Sequence, residues 1–292
     1  IDSRGYKAYK DIQGAWDFGP YVLYIDYVQG DPYASPSEIR ARVPADESGF
    51  PQDLFDDPVR RRALEDYLAR RIEDGINRYA EGYRGSGKSG LISIDAGGQE
   101  VLQRTAIEVT AGHVEARIVM GLPAGGRTVL GYQAQEMFFD ELPPILKHGL
   151  VYEELDESEL RAHINAVEDQ DAIRKQLRDR GLVCFIANGS MLPRETGISD
   201  RPMRGEQVVP FDSPEDLKGM LEAPHAGTVR GMGVPEGVTL IVGGGYHGKS
   251  TLLEAVARGV YDHIPGDGRE QVVTVADAVK IRAEDGRSIA GV

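Results

Sequence analysis

The chain has little cysteine and no surplus of positive charge, and each shortage excludes something. Cys184 is its single cysteine in 292 residues, so no disulfide can form within the chain and a thiolate-rich zinc site is excluded. That residue lies in LVCFIANG, an apolar strand-like run where a small thiol packs as core. Sparse cysteine suits a reducing compartment, and a cytoplasmic location is the expectation. Lys and Arg number 33 against 47 Asp and Glu, a formal net charge of −14. Such a chain is a poor non-specific binder of nucleic acid, because that binding is driven by neutralising phosphates. The deficit is shared, since residues 206–292 hold 8 basic against 13 acidic residues, and neither part is a basic module. No apolar run approaches the ~20 residues of a membrane helix, and the opening residues do not read as a signal peptide. The first residue is Ile1, not methionine, so a trimmed N-terminus is expected. Internal repeats and low-complexity tracts are lacking. The six histidines follow no metal-ligand spacing, and neither GxSxG nor HExxH occurs.

What is present reads as an α/β protein long enough for two domains. YVLYIDYV (Tyr21–Val28) is a strand by its aromatic and β-branched content. A helix follows: Asp57 caps it, Pro58 suits its first turn, and Leu64, Leu68, Ile72 and Ile76 recur every four residues. Its arginines alternate with Glu65, Asp66, Glu73 and Asp74, as on a solvated, salt-bridged face. LISID, AIEVT and HVEARIVM are strand-like, and GLPAGGR is a turn. A helical stretch begins near Gln133 and is expected to break at Pro143–Pro144. A second long helix covers about Glu157 to Arg180, with Gly181 as its stop, and LVCFIANG is the next strand. A loop-rich tract then runs to about Pro214. The boundary is placed there, with an α+β N-terminal domain over 1–205 and a nucleotide-type domain beginning at 206. Val238–Val242 is short and almost wholly apolar, as in a buried parallel strand. A glycine loop and a helix over Ser250–Val260 follow it. HIPGDGRE (His263–Glu270) is turn-forming, and VVTV and VKIRA look like short strands.

Two stretches satisfy the phosphate-loop pattern GxxxxGK[ST]: GYRGSGKS from Gly82 and GGGYHGKS from Gly243. The pattern works only in the order strand, glycine loop, helix. The loop's N–H groups then wrap the phosphates and the helix start adds partial positive charge. The second stretch has that order. Gly243, Gly244, Gly245, Tyr246, His247 and Gly248 form its loop. Lys249 is assigned to the β- and γ-phosphates, Ser250 to Mg²⁺, and the N–H groups of Gly248–Thr251 to the phosphates. His247 either touches phosphate or packs the loop. The first stretch has a charged helix before it and a strand after it, the reverse order. It reads as a surface turn, or as an anion contact made by Gly85, Ser86, Gly87, Lys88 and Ser89 through exposed N–H groups and the lysine. Arg84, Arg104 and Arg127 join Lys88 as candidates for holding RNA or another phosphate-rich ligand.

The run VRGMGVPEGVTLIVGGGYHGKSTLLEAV resembles an ATP-binding-cassette nucleotide domain, in which a β hairpin feeds the strand before the Walker A loop. More narrowly, the chain resembles the ATPases of the ABC class over nearly its whole length. YKAYKDIQGAW, VQGDPYASPS, GSGKSG, GLPAGGR, EDQDAIRKQL, LPRETG, GGGYHGKSTLLEA, HIPGDGRE and VKIRAEDGRS carry the resemblance. It implies ATP and Mg²⁺ as ligands, a dedicated N-terminal domain containing GSGKSG, and ATP hydrolysis in a head-to-tail homodimer that drives that domain. It also implies a signature motif, a Walker B strand and a catalytic acid, none of which occurs in these residues. The expectation is therefore a piece of a longer protein, or one completed by another chain, that binds ATP without appreciable turnover. The alternative is a module for RNA or a phosphate ligand, regulated by ATP. No membrane partner is expected.

Overall fold

Residues 1–205 and 208–281 are described by a computed structural model. The sequence-derived boundary at 205/206 meets one edge of the described residues. Residues 282–292, which hold most of VKIRAEDGRS and the end of the VKIRA run, lie outside them. The chain is α/β and forms two compact units, Ile1–Gly97 with Leu102–Ile164, and Gly98–Val101 with Asn165–Val292. This division falls inside a helix well before residue 205. Contacts define it, whereas the sequence boundary followed a run of prolines and glycines.

The first unit is built on an antiparallel sheet. β1 (Gly14–Asp17), β2 (Val22–Tyr27) and β3 (Ser37–Pro44) lead through a single turn, α1 (Ala45–Ser48), to α2 (Pro58–Tyr79). β4 (Ile92–Ser93) follows, and β5 (Glu100–Val101) belongs to the second unit. β6 (Ile107–Val109), β7 (His113–Met120) and the small hairpin β8 (Ala124–Gly125) and β9 (Thr128–Val129) complete the strands. The order is β1-β2-β3-β7-β4, with β6 also on β7. β3 and β7 pair from Ser37 opposite Met120 to Pro44 opposite His113. Along β3, Ile39, Ala41 and Val43 are buried while Glu38 is exposed, the period-2 pattern of a sheet with one apolar face. On its other face Glu115 is fully buried and accepts from Arg40 Nη1 (3.1 Å), Arg42 Nη2 (2.7 Å) and Arg117 Nε (3.3 Å). Three guanidinium groups supply the counter-charge that a buried carboxylate requires.

α2 begins as its sequence anticipates. Asp57 Oδ1 accepts from the N–H of Val59 (2.7 Å) and Arg60 (3.1 Å), and Leu64, Leu68 and Ile72 are fully buried. Each such side chain contributes about 1.5–3 kcal/mol by burial. Not all of its charged residues are solvated, contrary to the expectation. Asp66 is buried and takes Arg70 Nε at 2.7 Å and Arg104 Nη1 at 3.0 Å. Glu65 accepts the Val109 N–H of β6 at 3.0 Å and Gln103 Nε2 at 3.0 Å. Periodicity located the helix, but it could not show that these two carboxylates tie α2 to its neighbours.

The expected break at Pro143–Pro144 does not occur. α3 (Gly131–Glu136) passes through a π-turn at Met137–Glu141 into α4 (Leu142–Leu150). The wider turn restarts the bonding, so both prolines fall in a first turn, where a missing N–H costs nothing.

In the second unit, α5 (Glu157–Asp179, counted from Asn165) and α6 (Lys249–Arg258) cover opposite faces of one sheet. Its strands are β10 (Leu182–Ala187), β11 (Lys218–Ala223), β12 (Gly227–Pro235) and β14 (Val272–Thr274), in the order β11-β12-β10-β14. β13 (Asp262–His263) pairs with β5. Alternation along β10 explains the two faces. Phe185 and Ala187 pack with Ile173 and Leu177 of α5. Cys184 and Ile186 pack with Ala255, Leu252 and Val256 of α6.

Val238–Val242 is a correction. It carries no strand, and Val238, Leu240 and Val242 are 102%, 81% and 74% exposed. A buried parallel strand needs a bonded neighbour. Among the described residues β10 already has β12 and β14 on its two sides, and nothing pairs with 238–242. No described helix is long and apolar enough to cross a membrane.

Candidate functional site

The second glycine loop runs from β12, through the Pro235–Gly237 turn and the exposed run, into α6. Gly248 is the residue before the helix and adopts φ +78°, a left-handed conformation that glycine takes without steric cost. Among the described residues no side chain caps α6. The N–H groups of Lys249, Ser250 and Thr251 therefore have no partner inside the helix, and the helix dipole adds to their pull on an anion. The Lys249 ammonium folds back and donates to the Gly244 carbonyl. A Cβ on Gly244 would stand 3.1 Å from His247 Cε1, so the imidazole packs on the loop, one of its two anticipated roles. Ser250 is exposed and Tyr246 fully so. α6 itself is held firmly. Ala255 is fully buried, and Thr274 Oγ1 donates to the Val256 carbonyl at 2.7 Å. A lysine, free N–H donors and a hydroxyl on a fixed helix start form a donor set that fits a phosphate chain and Mg²⁺, a hard cation that takes oxygen ligands.

The first glycine loop is a different object. The N–H of Ser86 donates to Ala124 O (2.7 Å), Lys88 to Pro32 O (2.9 Å), Ser89 to Ser86 O (3.2 Å) and Gly90 to Gly121 O (2.7 Å). Ser89 Oγ donates to Ser86 O at 2.6 Å, and Ser86 Oγ accepts from the Gly126 N–H at 2.8 Å. The N–H groups expected to face an anion at Ser86, Lys88 and Ser89 are thus committed to the chain's own carbonyls. Of the five residues proposed there, the Lys88 side chain is what remains exposed beside Gly87. The loop is not a loose surface turn either, since Ser89 and Gly90 are buried. Its glycines let backbone meet backbone: a Cβ on Gly87 would stand 2.5 Å from Pro32 O.

The other basic candidates separate. Arg84 is buried and pairs with Glu81 at 2.7 Å and with Glu136 and Glu141. Arg104 is held by Asp66 (3.0 Å) and Asp95 (3.5 Å). Neither is available to a phosphate. Arg127 is 84% exposed at its side chain and pairs with Asp31. Folding also brings together Glu108, His113 and Glu115, a trio with metal-ligand chemistry that the spacing did not suggest. Glu115 already carries three guanidinium partners there.

Beside the first turn of α6 lies a cavity of about 660 Å³, lined by Ser250, Thr251, Glu254, Arg258, Arg194 and Arg269 among others. The HIPGDGRE segment, read above as a turn, contributes Arg269 to its lining. Asp267 is fully buried, lies 2.8 Å from Arg194 Nη2 and has the ring nitrogen Nδ1 of His263 at 2.8 Å. Burial pushes the Asp267 carboxyl up, but His263 and Arg194 outweigh it and hold it below the usual carboxylate range. Sequence reasoning missed Arg194, Asp267 and Arg269. The one signal was three charged residues among glycines in GDGRE, and nothing in it indicated burial.

Residues 1–153 match the family described as "ATPase of the ABC class N-terminal", and residues 156–292 match the ABC ATPase family described as "P-loop domain". An uncharacterised protein of Methanocaldococcus jannaschii is 36% identical over 118 residues, which are 38% of this chain and 26% of that protein. The match thus spans about a quarter of that relative's length.

Proposed function

Because the chain belongs to the ATPases of the ABC class, we propose that Gly243–Thr251 binds ATP. In the full-length protein, ATP hydrolysis would be coupled to the N-terminal part. The observation that carries this reading is the uncapped start of α6 directly after a glycine loop, with Lys249 within reach of that loop. The N–H groups of Gly248–Thr251 would hold the phosphates, Lys249 would shift from the Gly244 carbonyl to the β- and γ-phosphates, and the Ser250 hydroxyl would hold Mg²⁺. The metal would supply charge neutralisation across the bridged phosphates. A head-to-tail homodimer in the cytoplasm belongs to the same proposal, by analogy with cassette ATPases. The test is MgATP titration by calorimetry. Lys249→Ala should weaken binding roughly a hundredfold, on the scale of one or two charge-assisted hydrogen bonds. Lys88→Ala should leave it unchanged, and equal loss in both variants would overturn the choice between the two loops.

A second reading, an RNA or phosphate ligand on the first unit, rests on Lys88 and Arg127, which stay exposed on adjoining loops. It requires salt-dependent RNA binding. RNA retention at low salt that survives Lys88→Ala with Arg127→Ala would remove it.

A further inference from the structure

Arg269 is 3% exposed, yet its guanidinium has no carboxylate partner among the described residues. Its Nε–H donates to the Leu192 carbonyl at 3.0 Å, and Nη2 donates to the same oxygen. Nη1 has no partner among the described residues. The other two arginines of the cavity are neutralised. Arg194 is bidentate on Asp267, through Nη1 to the carbonyl and Nη2 to the carboxylate, both at 2.8 Å. Arg258 pairs with Glu100 at 3.0 Å and with Glu254 at 3.4 Å. Glu254 is itself shared with Lys280. Burial, joined by the neighbouring Arg194 charge, outweighs the nearby Asp267 and Glu254 carboxylates and lowers the Arg269 pKa to about 10. A buried cation with no carboxylate in direct contact is costly, and an anion at its open edge would offset that cost. The same cavity carries Ser250 and Thr251 on the uncapped first turn of α6. Two independent features, an unpaired buried guanidinium and a helix start, therefore converge on one space.

We propose that Arg269 receives a phosphoryl group in this cavity, with Ser250 and Thr251 opposite it. A guanidinium with an open edge suits phosphate oxygens by geometry as well as charge. The group has two sources: a phosphate of the nucleotide proposed for Gly243–Thr251, in which case the inference rests on that reading, or free phosphate.

Calorimetry with MgATP and, separately, with sodium phosphate separates these sources on the unmutated chain and on Arg269→Gln, Arg269→Lys and Lys249→Ala. A loss of at least about tenfold in MgATP affinity in Arg269→Gln, the value of one charge-assisted hydrogen bond, supports the nucleotide source. Phosphate affinity lost in Arg269→Gln but kept in Lys249→Ala supports the free-phosphate source. Binding of both ligands unchanged in Arg269→Gln, or binding of neither to the unmutated chain, overturns the inference. If MgATP affinity falls in Lys249→Ala but not in Arg269→Gln and phosphate does not bind, the inference fails and the nucleotide reading stands. Should Arg269→Gln not fold, Arg269→Lys is read in its place. On the unmutated chain the Arg269 Nε–H resonance must shift with MgATP or phosphate, and a resonance that both leave unmoved overturns the inference without any variant.

Discussion

At Gly90 a Cβ would overlap the carbonyl oxygen of Gly82, and φ is +89°. Gly90→Ala is therefore expected to cost about 3 kcal/mol or more, from a left-handed backbone and a steric overlap together. Urea unfolding measures it, and a loss under about 1 kcal/mol would mean that the first glycine loop yields easily. Asp66 provides the electrostatic case. Burial pushes its carboxyl up, but His163 and Arg70 outweigh this and hold it below its ordinary value. A depressed carboxyl contributes stability that is fully present above its unfolded pKa of about 3.9 and is lost as pH falls through its folded value. Asp66→Asn should thus cost about 3–5 kcal/mol at neutral pH and flatten the decline in stability below about pH 4. An acid limb unchanged by the substitution would place the titrating group elsewhere. Neither residue was singled out for this role in the sequence, because a glycine's close neighbour and a carboxylate's burial are set by distant segments.

Helices were the most legible elements. α2 follows from four-residue spacing, α5 from Leu160, Ile164, Val167, Ile173 and Leu177 along one face, and both from a cap and a stop that act locally: Asp57 at the start of one, and Gly181, at φ +63°, after the other. Asp57→Ala should lower stability by about 1 kcal/mol, a loss visible as a shift of the urea midpoint with unchanged slope. The contact between helices was not legible. A Cβ on Gly149 of α4 would stand 2.6 Å from Ile72 Cδ1 of α2, and one on Gly75 would stand 3.2 Å from Ile145 O. Gly149→Ala should cost about 1–3 kcal/mol by overpacking, despite alanine's better helix propensity. A stabilised variant would show that the two helices can part without loss. Strands were read with mixed success for a physical reason. β2, β7 and β10 carry alternation or enough β-branched residues to identify themselves. LISID reduces to Ile92–Ser93, and Val238–Val242 forms none, because a strand exists only where a partner offers hydrogen bonds.

For the molecule as a whole, coupling between the glycine loop and the N-terminal part is the part of the proposed function that goes beyond ATP binding. Hydrogen exchange with and without MgATP tests it. Amides of 243–258 should slow most, and residues within 1–164 should change protection as well; protection confined to the second unit would remove the coupling while leaving ATP binding intact. The sequence by itself determined the family and the α/β class, and it favoured the second GKS over the first through the helix that starts at Lys249 directly after the glycine loop, which is local information, whereas the strand expected before that loop is absent. It could not determine what the first GKS does. Only the tertiary structure showed where its N–H groups go, committing those of Ser86, Lys88, Ser89 and Gly90 to carbonyls at Ala124, Pro32, Ser86 and Gly121. It likewise decided that Arg84 and Arg104 are sequestered in ion pairs and that Arg269 is buried without one among the described residues. Whether a charge is free or neutralised depends on which carboxylates fold beside it, and some of these, such as Glu141 beside Arg84 and Asp66 beside Arg104, lie tens of residues away along the chain.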